Sequence, residues 1–346
     1  MKGSTMAVSV KDIATATGLS VGTISNVLNR PDKVSEATRA KVTAAIDDLG
    51  YVRNEAARQL RAGMSNCVGV IVLNSSNPFF NDVAAGAEAW ADDAGVSVLV
   101  GNSGELVERE HAYLDLFEQQ RVRGVLLSPV GEVSKRLQTM KQRGMATVLV
   151  DRDIAGDFSS VSVDDRLGGR LAMQHLIDMG RRRVAFVGGP LSLGQVADRF
   201  AGAADVAAKH PDVFLEFVAT DRLTLAHGRV AGERLLARPT ATRPDAVFAA
   251  NDLLALGLLQ AITTTRSLRV PDDIALIGYD DIDFAAGAAV PLSSIAQPRF
   301  ELGRLAMDLL LKEADDPSRP MERVVLQPFL VPRASTDAAL SLSGAQ

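Results

Sequence analysis

The chain changes its hydrophobic rhythm twice. Up to about residue 50 the apolar side chains recur at helical spacing: Val10, Ile13 and Ala14, then Ile24, Val27 and Leu28, then Val42, Ile46 and Leu49. Each set is one buried stripe on a short helix. The punctuation agrees, since Gly18 and Gly50 can adopt the left-handed backbone that ends a helix, and Ser20 and Ser35 stand at N-cap positions. The segment RNEAARQLRAG (53–63) holds about two turns of helix, with Asn54 as cap, Ala56, Ala57 and Leu60 on one side and Arg58 and Arg61 on the other. A helix of that length is not stable alone in water. It reads either as an arginine-bearing connector or as a segment that orders on a partner, with Arg58 and Arg61 on phosphates and Leu60 wedged into a minor-groove base step.

From Cys67 the rhythm alternates. The β-branched runs CVGVIVL, VSVLVG, GVLLSP and ATVLVD are separated by helical patterns at 81–93, 107–120 and 133–143. It restarts at SVSVD (160–164) and continues through VAFVGG, LEFVA, AVFAA and ALIGYD, with helices near 168–179, 195–209, 225–236 and 253–265. Continuous apolar strands between helices predict parallel sheets covered on both faces, here in two similar α/β lobes. One more helix, 300–312, precedes ERVVLQPFLVP, which offers a return to the first lobe and then the second. By segment, the expected boundaries are a headpiece at 8–53, a hinge helix and linker at 54–65, a core at 66–335 and a flexible tail at 336–346. The core divides into lobe 1 (about 66–158 and 292–322) and lobe 2 (about 159–291 and 323–335).

The stretch GLSVGTISNVLN (18–29) carries the G-x-S-x-G spacing of a hydrolase nucleophile elbow. That elbow needs a strand before its serine, and VKDIATATG is helical in pattern, so Ser20 is read as a cap and the unit as helix, tight turn, helix, a DNA-reading arrangement. Charge supports this. The whole chain of 346 residues carries −5, yet residues 1–65 hold nine Lys/Arg against six Asp/Glu, leaving 28 against 36 for the rest. A basic headpiece on an acidic body suits phosphate contact.

With 47% hydrophobic and 23% charged residues the composition is that of a globular chain, and the length suits two or three domains. No apolar h-region opens it and no stretch approaches a membrane span, so the expected location is cytoplasmic. The single cysteine, Cys67, excludes an internal disulfide and reads as a small buried side chain. His111, His175, His210 and His227 are scattered without metal-ligand spacing, and no G-x-G-x-x-G or Walker A pattern follows a strand. No catalytic, metal or cofactor site is expected.

The strand ends carry polar and aromatic groups: Phe79 and Phe80 after NSSNP, Asn251 and Asp252 after AVFAA, Asp280 and Asp281 after IGY, and Arg199 after VGGP. Singly, Phe79 and Phe80 suit a core, Asp252 a helix cap and Asp281 a solvated loop. Together, aromatics and planar hydrogen-bonding groups beyond the carboxyl ends of strands suit a small polar ligand between the lobes.

KDIATATGLSVGTISNVLN and VSEATRAKVTAAIDDLGYVRNEAARQLR resemble the headpiece and hinge of the lac repressor family (LacI/GalR-type regulators). NPFF, GGRLAMQHLIDMG, RRRVAFVGG, DRFAG, AANDLLALG, VPDDIALIGYDD and QPRFELGRLA resemble its ligand-binding core. The likeness runs from Val8 to about Arg333. It implies an all-α helix-turn-helix headpiece plus an α/β, two-lobed, type I periplasmic-binding-protein-like core, working as a homodimer on a pseudo-palindromic double-stranded operator. It also implies Ser20, Val21, Gly22, Thr23, Ser25, Asn26, Asn29, Asn54, Arg58 and Leu60 as the DNA-contacting positions, with Val21, Gly22 and Asn26 reading bases and Leu60 intercalating. The matching effector positions are Phe79, Phe80, Asp164, Gln195, Arg199, Leu223, Asn251 and Asp280.

The sequence departs from the family pattern in places. Val21 and Gly22 limit base reading to apolar contact, for instance with a thymine methyl, while Asn26 can pair with adenine. Leu223 stands where many relatives have an aromatic residue, RRR replaces a Gly-His-Arg-Arg pattern after Gly180, and the tail lacks the heptads of an added oligomerisation helix. A sugar or sugar derivative is the first expectation for the effector and a purine or nucleoside the second. A sugar-transport protein has no use for residues 8–63, and an enzyme needs a constellation that cannot be assembled from this sequence.

Overall fold

In the computed structural model, residues 8–51, 65–131, 133–152, 154, 158–265, 268–337 and 339 are described. The expected hinge residues Asn54, Arg58 and Leu60 lie outside them, as does most of the expected tail. The chain forms two compact units, Met1–Ser65 and Asn66–Gln346.

The first unit holds three helices, α1 (Val10–Thr17), α2 (Val21–Asn29) and α3 (Glu36–Leu49). Ser9 and Asp12 form a capping box on α1, and Gly18 ends it at φ 67°. Ser20 Oγ accepts from the Thr23 amide at 3.1 Å, and Ser35 Oγ from the Thr38 amide at 3.4 Å. Ile13, Ile24, Val27 and Val42 make the small core. Each fully buried branched side chain contributes about 1.5–3 kcal/mol. Leu49, expected on the buried face of α3, is exposed, and Tyr51 packs against the core beyond the helix end instead.

The second unit contains two six-stranded sheets. The strands are β1 (Cys67–Val72), β2 (Ser97–Asn102), β3 (Gly124–Leu127), β4 (Ala146–Val150), β5 (Ser159–Val163), β6 (Arg183–Gly188), β7 (Phe214–Ala219), β8 (Ala246–Ala249), β9 (Ala275–Asp280), β10 (Ser293–Ala296), β11 (Arg323–Leu326) and β12 (Phe329–Val331). The helices are α4 (Pro78–Asp93), α5 (Val107–Gln119), α6 (Ser134–Gln142), α7 (Asp165–Asp178), α8 (Gly194–Ala207), α9 (Leu225–Leu236), α10 (Asp252–Thr265), α11 (Asp283–Ala286) and α12 (Arg299–Asp315). The first sheet has the order β11-β5-β4-β3-β1-β2 and the second β12-β10-β9-β8-β6-β7. All pairings are parallel except β12 with β10.

Strands β3, β4 and β5 are buried throughout, whereas the edge strands β2 and β7 are largely open to solvent. Central parallel strands are covered on both faces, so their sequence is continuously apolar. Within the first sheet, Val70, Leu126 and Val148 face α4 and α12, and Ile71, Val125 and Leu149 face α5 and α6.

The expected lobe boundaries need three corrections. β5, expected in lobe 2, lies in the first sheet; β10, expected in lobe 1, lies in the second; β11, within the 323–335 expected in lobe 2, lies in the first. The chain therefore crosses between lobes after β5, after β10 and between β11 and β12. All three crossings converge on the carboxyl ends of the strands, where the cleft lies. Close helix contacts hold that end in register: a Cβ on Gly169 of α7 would stand 2.0 Å from the Arg199 carbonyl oxygen of α8, so only glycine permits this approach.

Candidate functional site

Helix α2 leaves Ser20, Val21, Gly22 and Asn26 exposed, with Val21 at 47%, while Ile24 and Val27 bury its opposite face. Thr23 and Ser25 are half-buried, and the Ser20 and Thr23 hydroxyls bond each other at 2.9 Å. Asn29 ends the helix. An exposed valine methyl pair next to a glycine, followed one turn later by an amide, is a surface able to meet a thymine methyl and an adenine edge.

The cleft in the second unit encloses about 470 Å³, its mouth included. It is lined by Leu73, Asn74, Asn77, Phe79, Phe80, Glu105, Asp151, Leu193, Gln195, Val196, Arg199, Leu223, Asn251 and Asp280. Seven of the eight expected effector positions are thus brought together: Phe79, Phe80, Gln195, Arg199, Leu223, Asn251 and Asp280. Asp164 is the exception. It caps α7, its Oδ1 accepting from the Leu167 amide at 2.7 Å, and does not line the cleft. Its neighbour Asp165 turns inward and pairs with Arg199 Nε at 2.7 Å.

Arg199 organises the floor. Its Nη1 donates to the Ala250 carbonyl at 2.8 Å and stands 3.8 Å from Asp280 Oδ1, and its guanidinium lies 3.7 Å from the centroid of the Tyr279 ring. Burial works against its charge, but Asp165, with Tyr279, Asp280 and Asp151, together outweigh burial and hold it protonated. Asp280 accepts from Asn77 Nδ2 at 3.0 Å across the lobes and from Gln297 Nε2 at 2.7 Å. Its backbone sits at φ 103°, a conformation uncommon for a residue with a side chain. Asn251 cups the far wall, donating to the Leu223 carbonyl at 3.3 Å and accepting from the Leu254 amide at 2.9 Å. Phe79 and Phe80 meet edge to face, 4.9 Å between centroids, at the start of α4, where the Asn77 side chain accepts from the Phe79 amide.

Asp151, Asn74, Asn77 and Glu105 line the cleft without having been expected there. Asp151 directly ends the apolar run ATVLV, so the rule that ligands meet strand ends applied to it as much as to Asp280. Gln195 ties the lobes by donating to both the carbonyl and Oδ2 of Asp151, at 2.8 and 3.0 Å. Burial, reinforced by Asp165, pushes the Asp151 carboxyl up to about 8, although Arg199 opposes this. Its Oδ1 is buried and has no hydrogen-bond partner among the described residues.

The other candidate residues have structural roles. Asp252 accepts from Ser294 Oγ at 2.7 Å and from the Ile282 amide at 2.9 Å, fixing the ends of β9 and β10. Asp281, expected to be solvated, pairs with Arg333 at 2.6 Å. His175 is buried against Thr336 and His227 bonds the Thr224 cap of α9, each at 2.7 Å. His111 is exposed and His210 half-buried; among the described residues no group of three or more His, Cys, Asp or Glu is placed to hold a metal ion. No described helix is long and apolar enough to cross a membrane.

Residues 9–54 match the family of bacterial regulatory proteins of the lacI type, and residues 173–336 match the periplasmic binding protein-like domain. The chain is 36% identical over 335 residues to the ribose operon repressor of Escherichia coli (strain K12), covering 94% of this chain and 99% of that one. It is similar in structure to the lac repressor dimer bound to operator and the anti-inducer ONPF (TM-score 0.81, 28% identity, 96% and 99% of the two chains). A LacI family transcriptional regulator from Enterococcus faecalis V583 with bound ribose is also similar (TM-score 0.70, 28% identity, 78% and 98%). The headpiece, the two-lobed core and these likenesses along nearly the full chain agree: the protein belongs to the lacI family of bacterial regulatory proteins, as a transcriptional regulator with a DNA-binding headpiece and a periplasmic-binding-protein-like core.

Proposed function

We propose that the protein is a dimeric repressor that binds a pseudo-palindromic operator and is controlled by a free sugar in the cleft, ribose before any other. The observation that carries this is Asp151. It has a buried oxygen with no hydrogen-bond partner among the described residues, in a cavity that also presents Phe79, Phe80, Asn251 and Asp280. Planar carboxylate and amide groups beside an aromatic face suit the hydroxyls and the apolar face of a small ring. The ribose named for the Escherichia coli and Enterococcus faecalis relatives supports the choice.

The reading assigns binding and not turnover to the cleft. The carboxylates that line it, Glu105, Asp151 and Asp280, already accept from the side chains of Asn74, Gln195 and Asn77. In the dimer two copies of α2 enter successive major grooves, with Ser20, Val21, Gly22, Thr23, Ser25, Asn26 and Asn29 at or near the bases and phosphates, while Asn54, Arg58 and Leu60 meet the central minor groove. A DNA target places this work in the cytoplasm, on the nucleoid. Effector contacts reach both lobes, so occupancy biases their arrangement and with it the spacing of the headpieces. By linkage, operator DNA changes effector affinity by the same factor.

Thermal-shift and calorimetric titration with ribose, other pentoses, hexoses and purine nucleosides tests the effector. Ribose is expected to stabilise the protein by about 2.7 kcal/mol at a hundred times its Kd. Stabilisation by a purine nucleoside with none by any sugar overturns the sugar assignment.

A further inference from the structure

Three guanidiniums approach the cleft, and each is already matched by a carboxylate. Arg199 is held by Asp165 at 2.7 Å and by the Ala250 carbonyl. Arg152 stands 3.7 Å from Asp198, with its guanidinium over Gly194, where a Cβ would collide with it. Arg222, on the loop after β7, reaches across the mouth to lobe 1, placing Nε 3.5 Å from Glu105 Oε2 and donating to the Gly104 carbonyl at 3.2 Å. Of these three, Arg222 is the most exposed, at 48%, and so the one most easily redirected to an incoming anion. Glu105 holds it in place.

Glu105 is built for that position. It sits in the left-handed region at φ 65°, directly after Gly104 at φ 60°. A side-chain-bearing residue in that region is uncommon and marks a site where surroundings dictate the backbone. Its amide donates to the Leu73 carbonyl at 3.0 Å, its Oε1 accepts from Asn74 Nδ2 at 3.1 Å, and its side chain is only 11% exposed. The carboxylate is thereby aimed at the cleft wall that it helps to line.

We propose that Glu105 is a specificity-determining residue that makes the cleft reject phosphate esters: it occupies Arg222 and adds a negative charge to a wall whose one cation among the described lining residues, Arg199, is already paired with Asp165. This rests on the sugar reading given above. A phosphate ester carries between one and two negative charges near neutral pH and needs charge-assisted donors. Arg199 is the one cation among the described lining residues, and its Nε and Nη1 are already engaged by Asp165 and the Ala250 carbonyl. An ester entering the cleft therefore meets the Glu105 carboxylate, with Arg222 held by it and Arg199 paired to Asp165, and like-charge juxtaposition of this kind discriminates strongly. The regulator then reports the free sugar and stays blind to the product of its phosphorylation.

The test is calorimetric titration of D-ribose and D-ribose 5-phosphate into the full-length protein and into E105Q, E105D and E105Q/R222A. The parent is expected to prefer the free sugar by at least about a hundredfold. E105Q, which keeps the shape but frees Arg222, narrows that ratio by about tenfold, a change of about 1.4 kcal/mol. E105D keeps the rejection, and adding R222A to E105Q abolishes the narrowing. A parent that binds ester and sugar alike, or an E105Q ratio equal to the parent's, overturns the proposal. If a hexose binds where ribose does not, the ribose assignment falls, and the same ratio on that hexose and its 6-phosphate decides the role of Glu105. If no sugar binds, both are overturned.

Discussion

Arg199 and Asp151 show how one buried cluster combines stability with recognition. Removing the guanidinium with Arg199→Ala leaves Asp165 and Asp280 buried without their counter-charge. Breaking a buried pair from one side costs about 3–5 kcal/mol, so urea unfolding of this variant is expected to show a loss of that order, together with lost ribose binding. Asp151 gives a pH signature. Its proton is held far more tightly in the folded chain, up to about 8, than in the unfolded chain, where carboxyls titrate near 4. The stability it contributes is full below the unfolded value and declines as pH rises toward 8. Asp165 and Asp280 are raised by the same burial and titrate with it. D151N, which does not ionise, is expected to flatten the fall in unfolding free energy between about pH 5 and 8; an unchanged slope removes Asp151 from this account. Much of the cluster was legible in the sequence because strand ends mark ligand sites. That Asp165 rather than Asp164 pairs with Arg199 was not, since one residue at a helix start turns a side chain by roughly 100°, and which of two adjacent aspartates turns inward depends on a partner 34 residues away.

Among the elements, α2 was readable in full: its cap, its stripe and its exposed face all follow from GLSVGTISNVLN. Asn26→Ala is expected to cost about 1–3 kcal/mol of operator affinity at one base position and to relax selectivity there. A uniform loss across operator variants would point to a phosphate contact instead. The misplaced strands β5, β10 and β11 have a common cause. A buried parallel strand is apolar whichever sheet it joins, so its sequence signals a strand and carries no address. Pairing is decided by partners far along the chain, as Val163 with Leu326 shows. The contact between α7 and α8 is the element-scale point of fragility: Gly169→Ala forces a methyl to within 2.0 Å of the Arg199 carbonyl. Overpacking costs about 1–3 kcal/mol, and loosened effector binding is expected beside the lower melting temperature.

Across the whole molecule, charge and topology divide the labour. The basic excess in residues 1–65 against an acidic remainder predicts an operator affinity that falls steeply and linearly in log–log form with salt, while the affinity for ribose, an uncharged ligand, changes little. Filter binding and calorimetry over the same salt series check both. Topology adds a consequence for how such regulators diversify. The headpiece is one uninterrupted stretch of chain, so a single recombination near its end can give the protein a new genomic address. Neither lobe is uninterrupted, because the backbone passes from one to the other three times. A gene encoding this protein can exchange its DNA target in one event, whereas a change of signal molecule has to accumulate substitution by substitution along the walls of the cleft.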